Sequence, residues 1–432
     1  MKKKKAPTGH KPNWQETYAT VIDIQNFLMD RIMLRFNMVT RRVECRMLSS
    51  YDHEGTDWMP VSDRLVNSLW KELSQEKPTR VQDIYRVIES DFVPDFHPFR
   101  YYLEHLPKWD GQNYILAMSV SVSVKGEVTE QMRFAEYLTK WLVGMVAGWV
   151  DDTVVNNVIL VLIGEQGSYK TTWFNYLLPP ELSQYFYTKT NANRMGRDDL
   201  LTLTQYGLVC CEELDTMRPA ELNQLKAAVT MPAIDERAAY AHYHEHRKHI
   251  ASFCGTGNNV QFLSDPTGNR RWLPFEVESI ESPRSHPFNY EGIYAQAYAL
   301  YQQGFRYWFS KEEILKLQEH NRAFETPRLE QELISERFRL PRKGEPGEFV
   351  TTTNILLAIS NGSMIQKLNA NRVGRAMTDL GFQRMRSGSE RGYIVVPYSA
   401  EEIKAQQRMK ACDAKPDDGL KNDTFDTFDT IF

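Results

Sequence analysis

The stretch VILVLIGEQGSYKTTWFNYLL, residues 158–178, decides the fold. An apolar run typical of a buried strand leads through the loop Gly164–Thr171 into a helical pattern. Phosphate groups bind where backbone N–H groups converge in such a strand–loop–helix turn, and a loop lysine adds a positive charge. The segment therefore predicts a nucleotide-binding loop at the edge of an α/β sheet.

The predicted ATP-binding residues all belong to this loop: Gly164, Glu165, Gln166, Gly167, Ser168, Tyr169, Lys170, Thr171 and Thr172. We expect Lys170 to reach the β- and γ-phosphates and the Thr171 hydroxyl to hold Mg²⁺. The spacing matches the phosphate-loop pattern G-x-x-x-x-G-K-[ST], except that Tyr169 stands where the pattern has its second glycine. A bulky residue predicts a negative φ at this position, and with it weakened or altered handling of the nucleotide.

Two later apolar strands end in polar groups. YGLVCCEELD, residues 206–215, ends in Glu212 and Glu213 and then reaches Asp215. Carboxylates at a strand end beside a phosphate loop can hold Mg²⁺ and orient the attacking water, whereas on their own they would only cap the strand. HIASFCGTGNN, residues 249–259, ends in a turn where an amide such as Asn258 can contact the γ-phosphate.

A pair of arginines precedes another strand. DPTGNRRW, residues 265–272, places Arg270 and Arg271 on a turn. Paired arginines beside a phosphate site suit stabilisation of transition-state charge, often from a neighbouring subunit. Surface arginines or arginines in salt bridges are the alternative interpretation.

Composition limits the class of protein. The chain has 432 residues, of which 42% are hydrophobic, enough for two or three cores. The net charge of −4 means that any nucleic-acid surface must be local. The five cysteines show no CxxC spacing, which favours a reducing compartment. The apolar run 141–150 is too short to cross a bilayer and MKKKK lacks a following apolar region, so we expect a cytoplasmic protein without a membrane partner.

The pattern of segments predicts several domains around an α/β core. The predicted segments are a mobile basic tail (1–12), an N-terminal, mostly helical accessory domain (13–112), the ATPase core (113–340), a linker (341–349), a winged-helix-like domain (350–398) and a disordered acidic-aromatic tail (399–432).

The sequence resembles the virulence-associated protein E family. The motifs that carry the resemblance stand in family order: WDG (109–111), GEQGSYKTT (164–172), CEELD (211–215), DERAAY (235–240), GTGNN (255–259) and DPTGNRRW (265–272). The resemblance spans roughly residues 100–340, and the segment 15–100 also looks like the one that precedes this core in family members. It implies an AAA+ core similar to superfamily 3 helicases, which uses ATP and Mg²⁺. It also implies a hexameric or similar ring that acts on DNA, which we expect to be single-stranded, in the replication of a phage, plasmid or integrated element.

The resemblance also implies roles for single residues. Glu213 corresponds to the family's strand-end acid, with Glu212 as an accessory metal ligand. Asn258 corresponds to the sensor, and Arg271 to the arginine finger, with Arg270 as the substitute. No primase-type domain is evident, so we expect a primase or other replication partner on a separate chain. Residues 350–398 look like a small C-terminal domain attached to such proteins in Bacteroidetes-type bacteria.

Superfamily 3 helicases have a pore hairpin in the interval that corresponds to residues 231–253. The predicted nucleic-acid-binding residues here mix cations with aromatic rings, which suits contact with phosphates and bases: Arg237, Tyr240, Tyr243, Arg247 and Lys248. An ordinary polar hairpin is the alternative. The nearby histidines at 242, 244, 246 and 249 fit a nucleic-acid channel better than zinc, because ligands along one flat strand do not easily converge on one ion.

The C-terminal part leaves two interpretations open. The predicted winged-helix-like domain carries basic residues on a helix and a hairpin: Arg372, Arg375, Arg384, Arg386 and Arg391. Such residues suit phosphate contacts, but a winged helix can equally dock a protein. The terminal TFDTFDTIF resembles the acidic tips by which single-strand-binding proteins recruit replication partners, with a solubilising tail as the alternative.

Together these patterns predict an ATPase and DNA helicase that moves along nucleic acid. The main alternative is a nucleotide-gated initiator or switch that binds DNA and hydrolyses ATP slowly, as Tyr169 would allow. A scaffold with a degenerate nucleotide site is the third interpretation.

Overall fold

The computed structural model describes residues 18–48, 58–189, 197–236, 245–263, 269–326, 329–342, 344–360, 368–388, 390–399 and 401–404. The chain divides into two compact units, Met1–Glu325 and Thr326–Phe432. The predicted basic tail at 1–12 and the terminal TFDTFDTIF lie outside the described residues. The predicted α/β class is confirmed in its broad form, since both units mix helices with sheets.

The N-terminal part of the first unit is a small sheet with helices. Its elements are α1 (Val21–Met29), β1 (Ile32–Asn37), β2 (Arg42–Met47), β3 (Met59–Pro60), α2 (Asp63–Glu76), α3 (Val81–Ile88), β4 (Asp95–Phe96) and α4 (Pro98–Glu104). The strands form a sheet in the order β3-β2-β1-β4. The domain predicted here as mostly helical therefore also contains a four-stranded sheet among its described residues. At the end of β1, the Asn37 side chain donates to Glu44 Oε1 at 2.6 Å and to the Tyr185 hydroxyl at 2.7 Å, which ties this sheet to the core.

The core of the first unit alternates strands with helices. Its elements are α5 (Tyr114–Ser119), β5 (Val122–Val124), α6 (Val128–Val150), β6 (Ile159–Ile163), α7 (Lys170–Asn175), β7 (Phe186–Lys189), α8 (Arg197–Gln205), β8 (Leu208–Cys211), α9 (Pro219–Ala228), β9 (Ala233–Glu236), β10 (Glu245–Lys248), β11 (Ser252–Gly257), β12 (Trp272–Ile280), α10 (Tyr290–Gln302) and α11 (Lys311–Asn321). Separately, β9 and β10 pair as an antiparallel hairpin.

The central sheet determines where the site lies. Its strand order is β5-β12-β6-β11-β8-β7, and the strands from β12 to β7 run parallel. Strand β11 therefore stands between β6, which leads into the phosphate-type loop, and β8, which leads into the acids. The carboxyl ends of these three strands meet at one edge, as expected for ligand binding in an open parallel sheet.

Apolar side chains cover both faces of this sheet. Helix α6 lies in the core on one face, where the Trp141 indole donates to the Phe253 carbonyl at 2.9 Å. A second cluster, which includes Phe253 and Trp272, fills the other face. In the part of the chain that the structure describes, none of the helices combines the length and apolar character that a membrane crossing requires.

In its described residues the second unit combines helices with a small sheet. Its elements are α12 (Leu329–Arg337), β13 (Phe338–Arg339), β14 (Glu348–Thr351), α13 (Thr352–Ile359), α14 (Ala370–Asp379), β15 (Arg384–Ser387) and β16 (Glu390–Pro397). Strand β16 pairs with β13, β14 and β15, all antiparallel. The basic helix and the hairpin predicted from the sequence are therefore present, as α14 and β15–β16.

Candidate functional site

The predicted phosphate loop connects β6 to α7, with Lys170 as the first helical residue. The Lys170 ammonium is buried and donates to the carbonyls of Gly164 at 2.8 Å and Glu165 at 2.6 Å. It also lies 3.1 Å from the Ser168 hydroxyl. Burial lowers the pKa of Lys170, while the charge of Asp215 opposes that shift. The lysine is thus a partly desolvated cation inside the loop.

Tyr169 adopts the left-handed backbone conformation, with φ 62° and ψ 13°. The predicted negative φ is therefore wrong: the loop has the conformation that a glycine would favour, although the residue is a tyrosine. The Tyr169 carbonyl accepts a hydrogen bond from the Trp173 N–H at 2.8 Å, so the first turn of α7 helps to hold this conformation. The side chain is 49% exposed and needs no burial to fit.

A left-handed tyrosine predicts a measurable strain. An L-residue in this region costs roughly 1–2 kcal/mol, and glycine avoids the clash between Cβ and the backbone. We expect the unfolding free energy of Tyr169→Gly to exceed that of Tyr169→Ala by about 1 kcal/mol, so the glycine variant should unfold at a higher urea concentration. The alanine variant is the matched control, because it loses the same ring and keeps Cβ. An alanine variant as stable as the glycine variant would contradict the strain.

The predicted acids follow β8 at the same edge of the sheet. Glu212 is half-buried, and its N–H donates to the Lys189 carbonyl at 3.2 Å. Glu213 is exposed and has a positive φ of 53°, with its carbonyl accepting hydrogen bonds from the N–H and hydroxyl of Thr216, each at 2.9 Å. Residues other than glycine that adopt the left-handed conformation cluster at functional sites. The backbone conformation of Glu213 therefore favours a functional role for its carboxylate.

Asp215 is the residue that the candidate site predicted from the sequence omits. Its Oδ2 accepts a hydrogen bond from the Asn259 N–H at 3.0 Å, and its Oδ1 is buried without a hydrogen-bond partner among the described residues. The residue also interacts electrostatically with Lys170. Its presence in the CEELD segment was visible in the sequence, but the contact with a turn 44 residues later was not.

The turn that carries the predicted sensor lies beside the predicted phosphate loop. The Gly164 N–H donates to the Gly257 carbonyl at 3.2 Å, and Asn258 Oδ1 lies 3.5 Å from the Lys170 ammonium. The structure therefore brings Lys170, Asn258 and Asp215 together. A carbonyl-lined lysine, an amide and a carboxylate with a spare oxygen form an arrangement that can detect and polarise a phosphate group.

Arg270 and Arg271 lie at the amino ends of the parallel strands, on the side of the sheet opposite the phosphate-type loop. They form part of a short 3₁₀ turn before β12, whose first residue, Trp272, is level with Ile159 at the start of β6. Strands rise about 3.3 Å per residue, so β6 separates this edge from the loop by roughly 13 Å. Both arginines line a cleft of about 460 Å³ whose wall includes Trp308. Among the described residues, neither arginine forms an ion pair.

Only part of the predicted pore hairpin is described. Arg237, Tyr240 and Tyr243 lie outside the described residues. On β10, alternation places Arg247 and Lys248 on opposite faces, so the two cations do not form one surface.

The histidines around this hairpin are in different environments. His246 Nδ1 lies 2.6 Å from Asp235 Oδ1 across the pair, and His242 and His244 lie outside the described residues. His249 is buried at the base of the hairpin, with Nδ1 2.7 Å from the Met231 carbonyl. The expectation that His249 faces a channel is therefore wrong.

Comparison with known proteins gives a family. The model of the virulence-associated protein E-like domain matches residues 103–326, slightly more than half of the chain. The apo structure of the NrS-1 C-terminal region (305–718) is similar to this chain at 12% identity and a TM-score of 0.46, with 90% of this chain and 100% of that chain covered. A second apo structure of that region, in its A form, is 13% identical with a TM-score of 0.45, and the match covers 86% of this chain and 98% of that chain.

Both TM-scores are low, so the assignment depends on the family match alone. No curated protein matches the sequence significantly. The chain belongs to the virulence-associated protein E-like family.

Proposed function

We propose that the chain is an ATPase that moves along nucleic acid, with an AAA+ core of the superfamily 3 helicase type. The observation that carries the proposal is the convergence of Lys170, Asn258 and Asp215 at the carboxyl edge of the parallel sheet. Family membership supports a role in replication. The strand order supports the core assignment, because β11 brings the sensor turn between the loop and the acids.

In this proposal Lys170 exchanges its contacts with the Gly164 and Glu165 carbonyls for phosphate oxygens. The backbone N–H groups of residues 164–172 bind the phosphates, and Glu213 orients the attacking water and accepts its proton. Asn258 is close enough to Lys170 to respond when the terminal phosphate leaves.

The residues at this edge suit Mg²⁺, which prefers oxygen ligands. Thr171, Glu212 and Glu213 would hold it, and the unpartnered Oδ1 of Asp215 offers a further acceptor for its water ligands. Bound Mg²⁺ would neutralise charge that develops on the phosphates.

The position of the arginines supports a site that two subunits share. Arg271, with Arg270 beside it, lies at the amino ends of the parallel strands, opposite Lys170, and in this proposal it reaches the nucleotide of a neighbour. A ring, for which the family implies six subunits, presents one edge of each subunit to the other edge of the next. Single-stranded DNA would pass along the β9–β10 hairpins, and residues 237–248 supply the proposed contacts.

We also propose how the chain divides into domains. It has an accessory domain (13–112), the core (113–340), a linker (341–349) and a winged-helix-like domain (350–398), followed by a tail. A separate primase or replication partner would act with the motor.

The motor is tested by ATP turnover and strand displacement. We expect single-stranded DNA to raise the rate of ATP hydrolysis at least about tenfold, because hairpin contacts couple DNA to the shared site. We also expect ATP-dependent release of a labelled annealed strand. If DNA leaves the rate unchanged and no strand is released, the chain is not a motor.

The alternative is a nucleotide-gated initiator with slow hydrolysis. It is favoured by the tight hold of the loop carbonyls on Lys170, which a nucleotide must displace. ATP binding that changes DNA affinity, without DNA-stimulated turnover, would support the initiator.

A further inference from the structure

The helix α14 and the β15–β16 hairpin concentrate positive charge. Residues 370–397 contain five arginines, no lysine and two acidic residues. Four of the arginines are exposed and, among the described residues, form no ion pair: Arg375, Arg384, Arg386 and Arg391. The fifth, Arg372, lies 3.9 Å from Glu330. Elsewhere in this unit Arg339 is paired with Glu345 at 2.6 Å, so unpaired arginines are not the rule.

The register of the hairpin puts three of these arginines on one face. Arg386 lies directly opposite Arg391, and Arg384 lies opposite Tyr393. Opposite residues of an antiparallel pair share a face, and so do residues two apart along a strand. Arg384, Arg386 and Arg391 therefore share the face from which the Tyr393 side chain points.

Tyr393 joins this face to α14. Its hydroxyl donates to the Gly374 carbonyl at 2.7 Å and lies 3.3 Å from the Thr378 hydroxyl. Arg375, next to Gly374, is exposed on α14. The buried side of the same helix carries Val373, Ala376 and Met377. We call the surface formed by Arg375, Arg384, Arg386 and Arg391 the arginine face.

The arginine face carries an electrostatic cost that folding alone does not explain. Like charges directly opposite in a strand pair are destabilising, and Arg386 and Arg391 are such a pair. The only hydrogen bond of the Arg386 side chain among the described residues goes from Nε to the Gly388 carbonyl, at 3.2 Å. An anionic ligand bound between Arg386 and Arg391 would offset this repulsion, because both guanidinium groups would be attracted to it.

We propose that the arginine face binds duplex DNA, with α14 at the major groove and the hairpin on the phosphate backbone. Apart from Ala370 at its start and the acidic Asp379 at its end, the exposed residues of α14 are Asn371, Arg372, Arg375 and Thr378, as suits a helix that contacts base edges and phosphates. A B-form major groove admits a helix, whereas that of duplex RNA is too narrow.

A protein partner fits this surface less well. The centre of a protein interface is enriched in aromatic residues and poor in charge. The exposed apolar side chain of the hairpin, Met385, lies opposite Gly392 and so on the other face of the strands. The arginine face itself exposes charge and polar groups.

The test is fluorescence anisotropy on the full chain without nucleotide, with a labelled DNA duplex and the matching single strand. We expect the Arg386→Gln/Arg391→Gln variant to bind duplex at least about tenfold more weakly. The slope of log affinity against log salt should fall by about two, since each lost phosphate contact removes about 0.9. The control variant Arg342→Gln removes an exposed arginine of the same unit and should bind within about twofold of wild type.

The outcomes separate this inference from the proposed motor. Lys170→Ala should leave duplex affinity unchanged, because the arginine face needs no nucleotide site. Thermal unfolding of the double variant should match or exceed that of wild type, because a like-charge pair is removed. Unchanged duplex affinity in the double variant, an equal loss for single strands, or equally tight binding of an RNA duplex would overturn the proposal.

Discussion

Replacing Lys170 with alanine should lower the affinity for ATP at least about a hundredfold. The ammonium makes short contacts inside the loop, at 2.8 Å and 2.6 Å to two carbonyls, so it is already held where phosphate oxygens would bind. Hydrogen bonds to charged groups contribute about 1.5–3 kcal/mol each, and two of them amount to two or more powers of ten. Titration with a fluorescent ATP analogue measures the loss.

A second lysine provides the control. Lys125 is exposed at the same edge of the sheet, where it pairs with Glu276 at 2.6 Å and interacts with Glu165. We expect Lys125→Ala to change ATP affinity by less than about threefold, as is usual for an exposed ion pair. The loop carbonyls lose their donor in Lys170→Ala, so thermal unfolding should confirm that this variant is folded. A folded Lys170→Ala variant with wild-type affinity would show that the loop does not bind ATP.

Replacing Arg271 with alanine should lower ATP turnover about a thousandfold or more while ATP affinity stays nearly unchanged. An arginine finger typically contributes this much to phosphoryl transfer. In this chain the residue lies at the edge of the sheet opposite Lys170, so the loss would occur at the neighbour's nucleotide. Steady-state hydrolysis and nucleotide titration separate the two effects.

Mixed complexes test whether the site is shared. A randomly mixed assembly of equal amounts of Arg271→Ala and Lys170→Ala subunits has intact loop and finger at about a quarter of its interfaces. We expect turnover to recover towards that fraction, although each variant alone is inactive. Arg270→Ala serves as the comparison, since Arg270 is the substitute candidate. Mixtures that show no more activity than the separate variants would exclude a finger acting between subunits.

Much of the core followed from the sequence. The strands β6, β8, β11 and β12 were predicted because long apolar runs bounded by polar turns are typical of buried parallel strands. A basic helix and a hairpin of the second unit were also predicted, within residues 350–398. In the N-terminal domain the alternation in RRVECRML, residues 41–48, indicates strand β2, but the sheet as a whole was not predicted, because β3 and β4 have two residues each, too few to show alternation.

The candidate site could be proposed from the sequence residue by residue, but its arrangement could not. The loop, the acids and the amide of Asn258 could be identified because each follows an apolar strand. The contact of Asp215 with Asn259 depends on tertiary folding, which joins residues 44 positions apart. Strand register separates Arg271 from Lys170, and no local pattern contains that information. The separation of Arg247 from Lys248 follows from strand alternation, because neighbouring residues of a strand point to opposite faces.

The left-handed Tyr169 has a consequence for recognising distant relatives. The pattern G-x-x-x-x-G-K-[ST] encodes a backbone shape through a residue that adopts it without strain. In this chain the surrounding hydrogen bonds enforce the same shape on a tyrosine. A search that demands glycine before the lysine would pass over such chains and count their phosphate loops as lost. In this chain the dihedral angle of residue 169, rather than its residue type, keeps to the pattern.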